Sequence, residues 1–405
     1  MSDKKMDNME VGKKFHLYMV DNTVGKGLPL LLPYGATIRR VLERFIVDEE
    51  IKRGYQHVIT PDIAKKDLYK VSGHWPLYKD SMCPAIELDE QQYLLRAMSC
   101  PHHITIYKHR PRSYNELPLR YAELAKLYRN EKSGELHGLI RVRAFTLADA
   151  HIFCTPEQVD SEFKNVMSLI KYCLDTMGVE GYWFRLSLRD EKKDKYLGND
   201  AMWKNAEGAI KKALDSLGLK YVEAKGEAAF YGPKLDVQVK NSYGKEDTLI
   251  TNQIDFQLPQ KFGLEYIDKD NKPKQPVMIH RSSIGSIERT LAFLFEKYQG
   301  AFPLWLAPVQ VKVISMNKEL VSYSKEIEQK LMLAGLRAEG DYRNSSMGKR
   351  IRAAETMKVP YVVVIGQKEK EAGTLAIRPR GAEPKFGIKF DDFVKDLKKL
   401  EVSKK

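Results

Sequence analysis

The sequence predicts a two-part α+β protein, a long portion of mixed helices and strands followed by a small α/β domain. Three observations predict it. The chain has 405 residues, more than one ordinary core accommodates. Residues 141–152 alternate between two kinds of side chain with the period of a strand. Beyond Gly300-Ala301-Phe302-Pro303, strands and helices take turns, the pattern of helices laid over a mixed sheet.

In chain order, residues 37–54 carry Ile38, Val41, Leu42, Phe45 and Ile46 near helical spacing and stop at Gly54, which predicts an amphipathic helix. A short strand, 57–60, follows. Residues 156–177 form a helix ending at Gly178, 182–188 alternate as a strand, and 200–217 form a helix stopped by Gly218. Residues 234–239 and 248–256 read as strands. Residues 276–280 lead into a helix over 286–298, where Ile287, Leu291, Leu294 and Tyr298 share a face. After the boundary, 309–315, 337–339, 361–365 and 374–378 read as strands, and 320–334 and 347–357 as helices. Two domains are expected, 1–300 and 301–405. No internal repeat is visible.

Composition narrows the function classes. A hydrophobic share of 43% supports folded domains rather than disorder. The charge of +13 favours a polyanionic partner. Cys83, Cys100, Cys154 and Cys173 form no close pair, which argues against a disulfide scaffold and fits a reducing compartment. The start, MSDKKMDNMEVGKK, has no apolar core for a signal peptide, and its acidic residues disfavour a mitochondrial presequence. The apolar run 28–33 is too short to span a bilayer. A soluble, cytoplasmic protein without a membrane partner is expected.

The stretch 128–154 carries the chemistry. From Arg141 the odd positions read Arg141, Arg143, Phe145, Leu147, Asp149 and His151, and the even ones Val142, Ala144, Thr146, Ala148, Ala150 and Ile152. One face suits packing. The other sets cations, an aromatic, a carboxylate and an imidazole in a row, which points to a ligand rather than to solvent. Arg129 and Glu131 precede it on a run placed to pair with it as a hairpin across Ser133-Gly134.

Arg129-Asn130-Glu131, Ser133-Gly134, His137-Gly138-Leu139, Arg141-Val142-Arg143 and Asp149-Ala150-His151-Ile152-Phe153-Cys154 together resemble motif 2 of the threonyl-tRNA synthetase family. His280-Arg281 followed by Gly285-Ser286-Ile287-Glu288-Arg289 resembles class II motif 3, and the segment from Gly54-Tyr55 to Thr60-Pro61 resembles motif 1. The resemblance runs from about Phe15 to about Leu397. It implies a class II catalytic core, an antiparallel sheet flanked by helices, followed by a small α/β anticodon-binding domain. The implied reaction joins L-threonine to ATP as threonyl-adenylate and moves the threonyl group to the 3′ end of tRNA(Thr). Motif 1 implies a homodimer.

The resemblance also assigns residues. Cys100, His151 and His280 match zinc ligands, one Zn2+ per subunit; on spacing alone each is a lone Cys or His with an ordinary structural role. An open fourth position would take threonine's amino and hydroxyl groups together, and a site built to bind a hydroxyl rejects valine by roughly 10⁴ or more. Met98, Asp149, Tyr231, Lys234 and Gln253 match amino-acid-binding positions. Arg129 would hold the α-phosphate of ATP, bound with Mg2+. Arg141 and Arg289 would sit near the distal phosphates and adenine, with Ser286 beside them, since guanidinium forks bind phosphate bidentately. Glu131 would accept from the adenine amino group, Phe145 would stack on the ring, and Gly285 would let backbone approach the nucleotide. His74 would assist transfer to the ribose hydroxyl; its alternative is a surface turn histidine. Asn344, Glu371 and Arg380 correspond to anticodon-reading positions. Arg343, Lys349, Arg350, Arg352 and Arg378 add phosphate attraction.

Two residues depart from the family pattern: Leu147, where glutamine is usual, and His102, where glycine is common. The chain is expected to be a short form without the N-terminal editing domains. Serine differs from threonine by a methyl worth only about 1–3 kcal/mol, so mischarging with serine is expected; either a natural short form relies on a separate trans-editing protein, or the sequence is a truncated piece of a longer chain. Three alternatives stand beside the ligase: a paralogue acting on another small amino acid, a catalytically silent RNA-binding or regulatory protein, and a zinc hydrolase. Arg129, Glu131, Arg289 and three ligand positions kept together argue against silence, and no local base motif favours the hydrolase.

Overall fold

The alternating residues 144–154 run through an eight-stranded sheet whose order, written by residues, is 221–225, 183–188, 234–240, 246–255, 277–286, 144–154, 119–128 and 56–57. The six middle strands pair antiparallel, and the strand at each edge is parallel to its neighbour. The structure is a computed structural model that describes residues 5–193, 195–241 and 243–404. Among them, no helix is long and apolar enough to cross a membrane, and all four cysteines are free thiols.

The described residues fall into two compact units: one holds 20–29 and 43–293, the other 5–19, 30–42 and 294–404. The first contains the eight-stranded sheet. Helix Val159–Thr176 packs across strands Ala144–Cys154, Val277–Ser286 and Glu246–Asp255 because Phe163, Val166, Leu169, Ile170 and Cys173 recur on one face and are buried. Helix Asp200–Ser216 packs on that helix. Sequence spacing placed these helices to within a few residues. Strand 57–60 shrinks to Gln56–His57, and the paired strand begins at Ala144 rather than Arg141. Residues 137–141 instead close a small loop through a bridge from His137 to Arg141, and Ser133–Glu135 is a 3₁₀ turn in place of a tight hairpin.

The second unit carries a five-stranded sheet ordered 338–341, 311–315, 361–365, 374–379 and 385–389. The first three strands are parallel and the last two antiparallel. Period-2 alternation sends Val363 and Ile365 to one face, among Val313, Ile327, Leu331, Phe393 and Leu397. Val362 and Val364 go to the other, with Ile351 and Ala354 of helix Met347–Thr356. This is the mixed, helix-covered sheet the sequence predicts.

Candidate active site

Strand alternation builds a pocket of about 280 Å³ whose walls include Phe145, Leu147, Asp149 and His151 from a single strand. The neighbouring strands bring matching positions opposite. His280 pairs in register with His151, and Gln253 with His280, so three functional side chains meet across adjacent strands. Arg129, Glu131 and Arg141 reach the same pocket from the loop after strand Leu119–Tyr128. Ser286 reaches it from the end of strand Val277–Ser286 and Arg289 from the first turn of helix Ile287–Tyr298, and Met98, Cys100 and Tyr231 also line it.

One group of walls is cationic. The Arg129 guanidinium lies 5.0 Å over the Phe145 ring. Arg289 donates from Nε to the Ile140 carbonyl at 3.2 Å and from Nη1 to the Thr248 carbonyl at 2.6 Å, which aims it rigidly. Arg141 donates to Glu131 Oε2 at 2.8 Å and to Glu135 Oε2 at 2.7 Å. Burial lowers the pKa of both Arg129 and Arg289, and in Arg289 the nearby charges of Arg129 and Arg141 add to it. Positive charge held this close out of water favours an anion between the guanidiniums.

A second group has the donors to hold a metal ion. One donor atom each from Cys100, His151 and His280 lies within 4.8 Å of the others, and all three residues are buried. Both imidazoles have their other nitrogen occupied. His280 Nε2 is 2.7 Å from Asp255 Oδ2, and Asp255 is itself fixed by the amides of Gln257 and Leu258 at 2.7 and 2.9 Å. His151 Nδ1 is 2.8 Å from His103 Nδ1. Burial pushes the Cys100 thiol well up and the His151 imidazolium well down. A divalent cation would reverse the first effect by binding the thiolate. Asp149 accepts from the Ser99 hydroxyl, and burial raises its carboxyl. The Tyr231 hydroxyl donates to Gln253 Oε1 at 2.6 Å, and its ring stacks on His280 with centroids 4.8 Å apart.

Other expected residues sit differently. Lys234 directs Nζ to Asp236 Oδ2 at 2.9 Å and is not a wall of the pocket, because both lie on strand Lys234–Lys240, two residues apart on one face. Arg143 is spent on the Glu131 and Lys26 carbonyls and the Ser133 hydroxyl. His74 is not a surface turn residue: it is 1% exposed and opens the short helix His74–Tyr78. Its Nδ1 lies 2.7 Å from Ser72 Oγ, its Nε2 3.8 Å from Cys100 Sγ, and burial takes its pKa to about 3. Gly285 passes close to the neighbouring strand: an added Cβ would lie 2.0 Å from the Leu249 carbonyl oxygen. Asn344 and Glu371 follow the ends of parallel strands Ala338–Asp341 and Tyr361–Ile365, at one end of the five-stranded sheet. Arg380 follows Thr374–Pro379 at the other end, where Pro379 pairs with Tyr361, and donates to the carbonyls of Lys358, Ala301 and Phe302. Arg350 is buried against the Ser315 and Asp341 carbonyls, which removes it from any phosphate-facing surface.

Sequence reasoning missed Ser99, His103, Glu123 and Asp255. Period 2 could have flagged Asp255, which shares a strand face with Gln253. The rest act through partners distant in sequence.

An antiparallel sheet presenting arginines and a glutamate beside a sulfur–nitrogen donor set is the architecture of a class II tRNA synthetase. The family described as the class II core domain of tRNA synthetases (G, H, P, S and T) matches residues 80–298, and an anticodon-binding domain matches 310–400. The threonine–tRNA ligase of Halalkalibacterium halodurans is 49% identical over 396 residues, covering 97% of this chain and 61% of that protein. That of a Geobacillus species is 50% identical over 397 residues, covering 98% and 62%. The crystal structure of the RNA-binding domain of threonyl-tRNA synthetase from Cryptosporidium parvum superposes with a TM-score of 0.92 at 35% identity, covering 98% of each chain. The chain belongs to the threonyl-tRNA synthetase family. It spans about 61% of the length of the first of these curated relatives.

Proposed function

We propose that this chain activates L-threonine with ATP to threonyl-adenylate and transfers the threonyl group to the 3′ end of tRNA(Thr). The observation that carries the reading is one pocket walled by both the Cys100, His151 and His280 donors and the Arg129, Glu131, Phe145 and Arg289 set. The donor set fits zinc, one per subunit: a thiolate and two imidazoles are zinc ligands, and three of them leave a position open. When bound, zinc supplies a Lewis-acid position that holds the amino and hydroxyl groups of threonine together. Asp149 accepts hydrogen bonds from those groups, while Met98, Tyr231 and Gln253 close the amino-acid end. Lys234, paired with Asp236, stays outside this wall. The apolar Leu147 leaves the carboxylate free to face the cationic wall.

In the first step a carboxylate oxygen of threonine bonds to the α-phosphorus of ATP as the bond to the β-bridging oxygen breaks and pyrophosphate leaves. Arg129 stabilises the charge that builds on the α-phosphate, and Arg289 and Arg141 hold the distal phosphates, with Mg2+ accompanying ATP. Phe145 stacks on adenine, Glu131 accepts from its amino group, and Ser286 lies beside the nucleotide. In the second step the terminal ribose hydroxyl attacks the threonyl carbonyl and AMP leaves, with His74 as our candidate for the hydroxyl proton. Residues 1–300 form the aminoacylating part and 301–405 the anticodon-binding part, where exposed Asn344 and Glu371 contact bases. Arg380, engaged at the opposite end of that sheet, is not included. The free thiols fit a cytoplasmic setting.

ATP–pyrophosphate exchange with threonine, serine, valine and alanine, each with and without a zinc chelator, tests the reading. Threonine-dependent exchange abolished by chelation is expected, with serine exchanging measurably and valine not. Folded, zinc-loaded protein that exchanges with none of the four would overturn it.

A further inference from the structure

His103 is fully buried and is not among the pocket walls, yet it stands between a carboxylate and a donor residue. Its Nε2 lies 3.1 Å from Glu123 Oε2, and its Nδ1 lies 2.8 Å from His151 Nδ1. Glu123 accepts from the amide and the hydroxyl of Thr60, both at 2.9 Å, and from Arg96 Nη1 at 3.2 Å. With both imidazoles neutral, these groups leave one consistent arrangement of protons. An ionised carboxylate only accepts, so His103 carries its proton on Nε2. Its Nδ1 is then a bare acceptor, so His151 must donate from Nδ1. His151 Nε2 is left with a free lone pair.

We propose that His103, anchored by Glu123, is the positioning residue that sets the tautomer and ring angle of His151 and makes Nε2 its metal-ligating atom. The inference rests on the zinc reading above. The two imidazoles are held by different routes. His280 meets its carboxylate directly, through Asp255. His151 meets Glu123 only through a second imidazole, whose ring stands at 88° to its own with centroids 4.7 Å apart. Loss of His103 therefore disconnects His151 from Glu123 altogether, whereas the hold on His280 is untouched. Partners of this kind fix ligand orientation and contribute roughly 10–100-fold to metal affinity.

The test titrates chelator-stripped protein with Co2+, followed by the visible ligand-field bands and the thiolate charge-transfer band from Cys100, with zinc competition for the dissociation constant. His103→Leu removes the acceptor and is expected to weaken binding about 10–100-fold and to shift the bands. His103→Asn places an amide oxygen near the former Nδ1 and is expected to recover most of that loss. Circular dichroism melts of each variant register folding. Nitrogen NMR of the metal-free wild-type protein gives a reading that no variant can confound, because His151 should be protonated on Nδ1 and bare on Nε2. A His103→Leu protein that binds cobalt as tightly as wild type, or a His151 protonated on Nε2, would overturn the proposal. Wild-type protein that takes up no cobalt would instead remove the metal reading, and the tautomer measurement would still decide whether the line of hydrogen bonds exists.

Discussion

Glu123 is buried on strand Leu119–Tyr128, one strand in from the edge of the eight-stranded sheet, opposite Asp149. Burial alone would raise its carboxyl. Hydrogen bonds from His103 and Thr60, with the charge of Arg96, outweigh burial and bring it down from 4.5 to about 2. A carboxylate depressed in the folded state contributes stability above its unfolded value and loses it as pH falls toward its folded one. The contribution is about 3 kcal/mol at neutral pH. Urea unfolding of wild type and Glu123→Gln should therefore differ most at pH 7, with the gap shrinking by about 2 kcal/mol by pH 3. An equal gap at both values would mean that the carboxylate is not held by those donors. Asp149, in contact with the Ser99 hydroxyl, moves the other way because burial dominates there.

At the scale of elements, strand Val277–Ser286 carries both ends of the site: His280 near its middle and Ser286 at its end. Its register with Ala144–Cys154 slips between Ser282 and Ser286. Within that irregularity Gly285 has φ of 75° and passes so close to Leu249 that no side chain fits. Gly285→Ala should therefore shift Ser286 and Arg289, abolish pyrophosphate exchange and lower the melting temperature. Gly381→Ala is the control: with φ of 71° and nothing within 4 Å of an added Cβ, it carries only the left-handed backbone cost of about 1–2 kcal/mol. Equal effects of the two would reduce Gly285 to its dihedral. Helices Val159–Thr176, Asp200–Ser216 and Ile287–Tyr298 were legible in the sequence because apolar residues recur every three or four positions, whereas Cys100–Lys108 and Phe390–Val402 were not read from it. The strand face Phe145, Leu147, Asp149, His151 was legible because period 2 is geometric. Arg141 and Arg143 were misplaced on that strand because side-chain alternation says nothing of where pairing begins. The line from Thr60 to His151 was invisible, since register across strands and the packing of helix Cys100–Lys108 bring its members together. The Gly285 approach to Leu249 was equally hidden, for the glycine marks a tight place without saying what fills it.

For the whole molecule, Ile59 raises the question of a second copy. Its side chain is 96% exposed, and Ile51 and Ile63 nearby are 55% and 37% exposed. Single exposed apolar residues are ordinary, but this one is held out by design: the amide and hydroxyl of the next residue, Thr60, both bond to buried Glu123. A rigidly presented isoleucine in the segment that resembles motif 1 fits a twofold interface, where the same patch meets itself and each substitution counts twice. We therefore expect sedimentation velocity at micromolar concentration to give a dimer for wild type, and Ile59→Asp, which would place two like charges across the axis, to shift it to the monomer. The melting of the isolated chain should change little, because an exposed side chain contributes little to its own fold. A dimer undisturbed by aspartate at this position would put the interface elsewhere on the molecule. A wild-type monomer across that concentration range would remove the dimer and leave the catalytic reading to the pocket residues themselves.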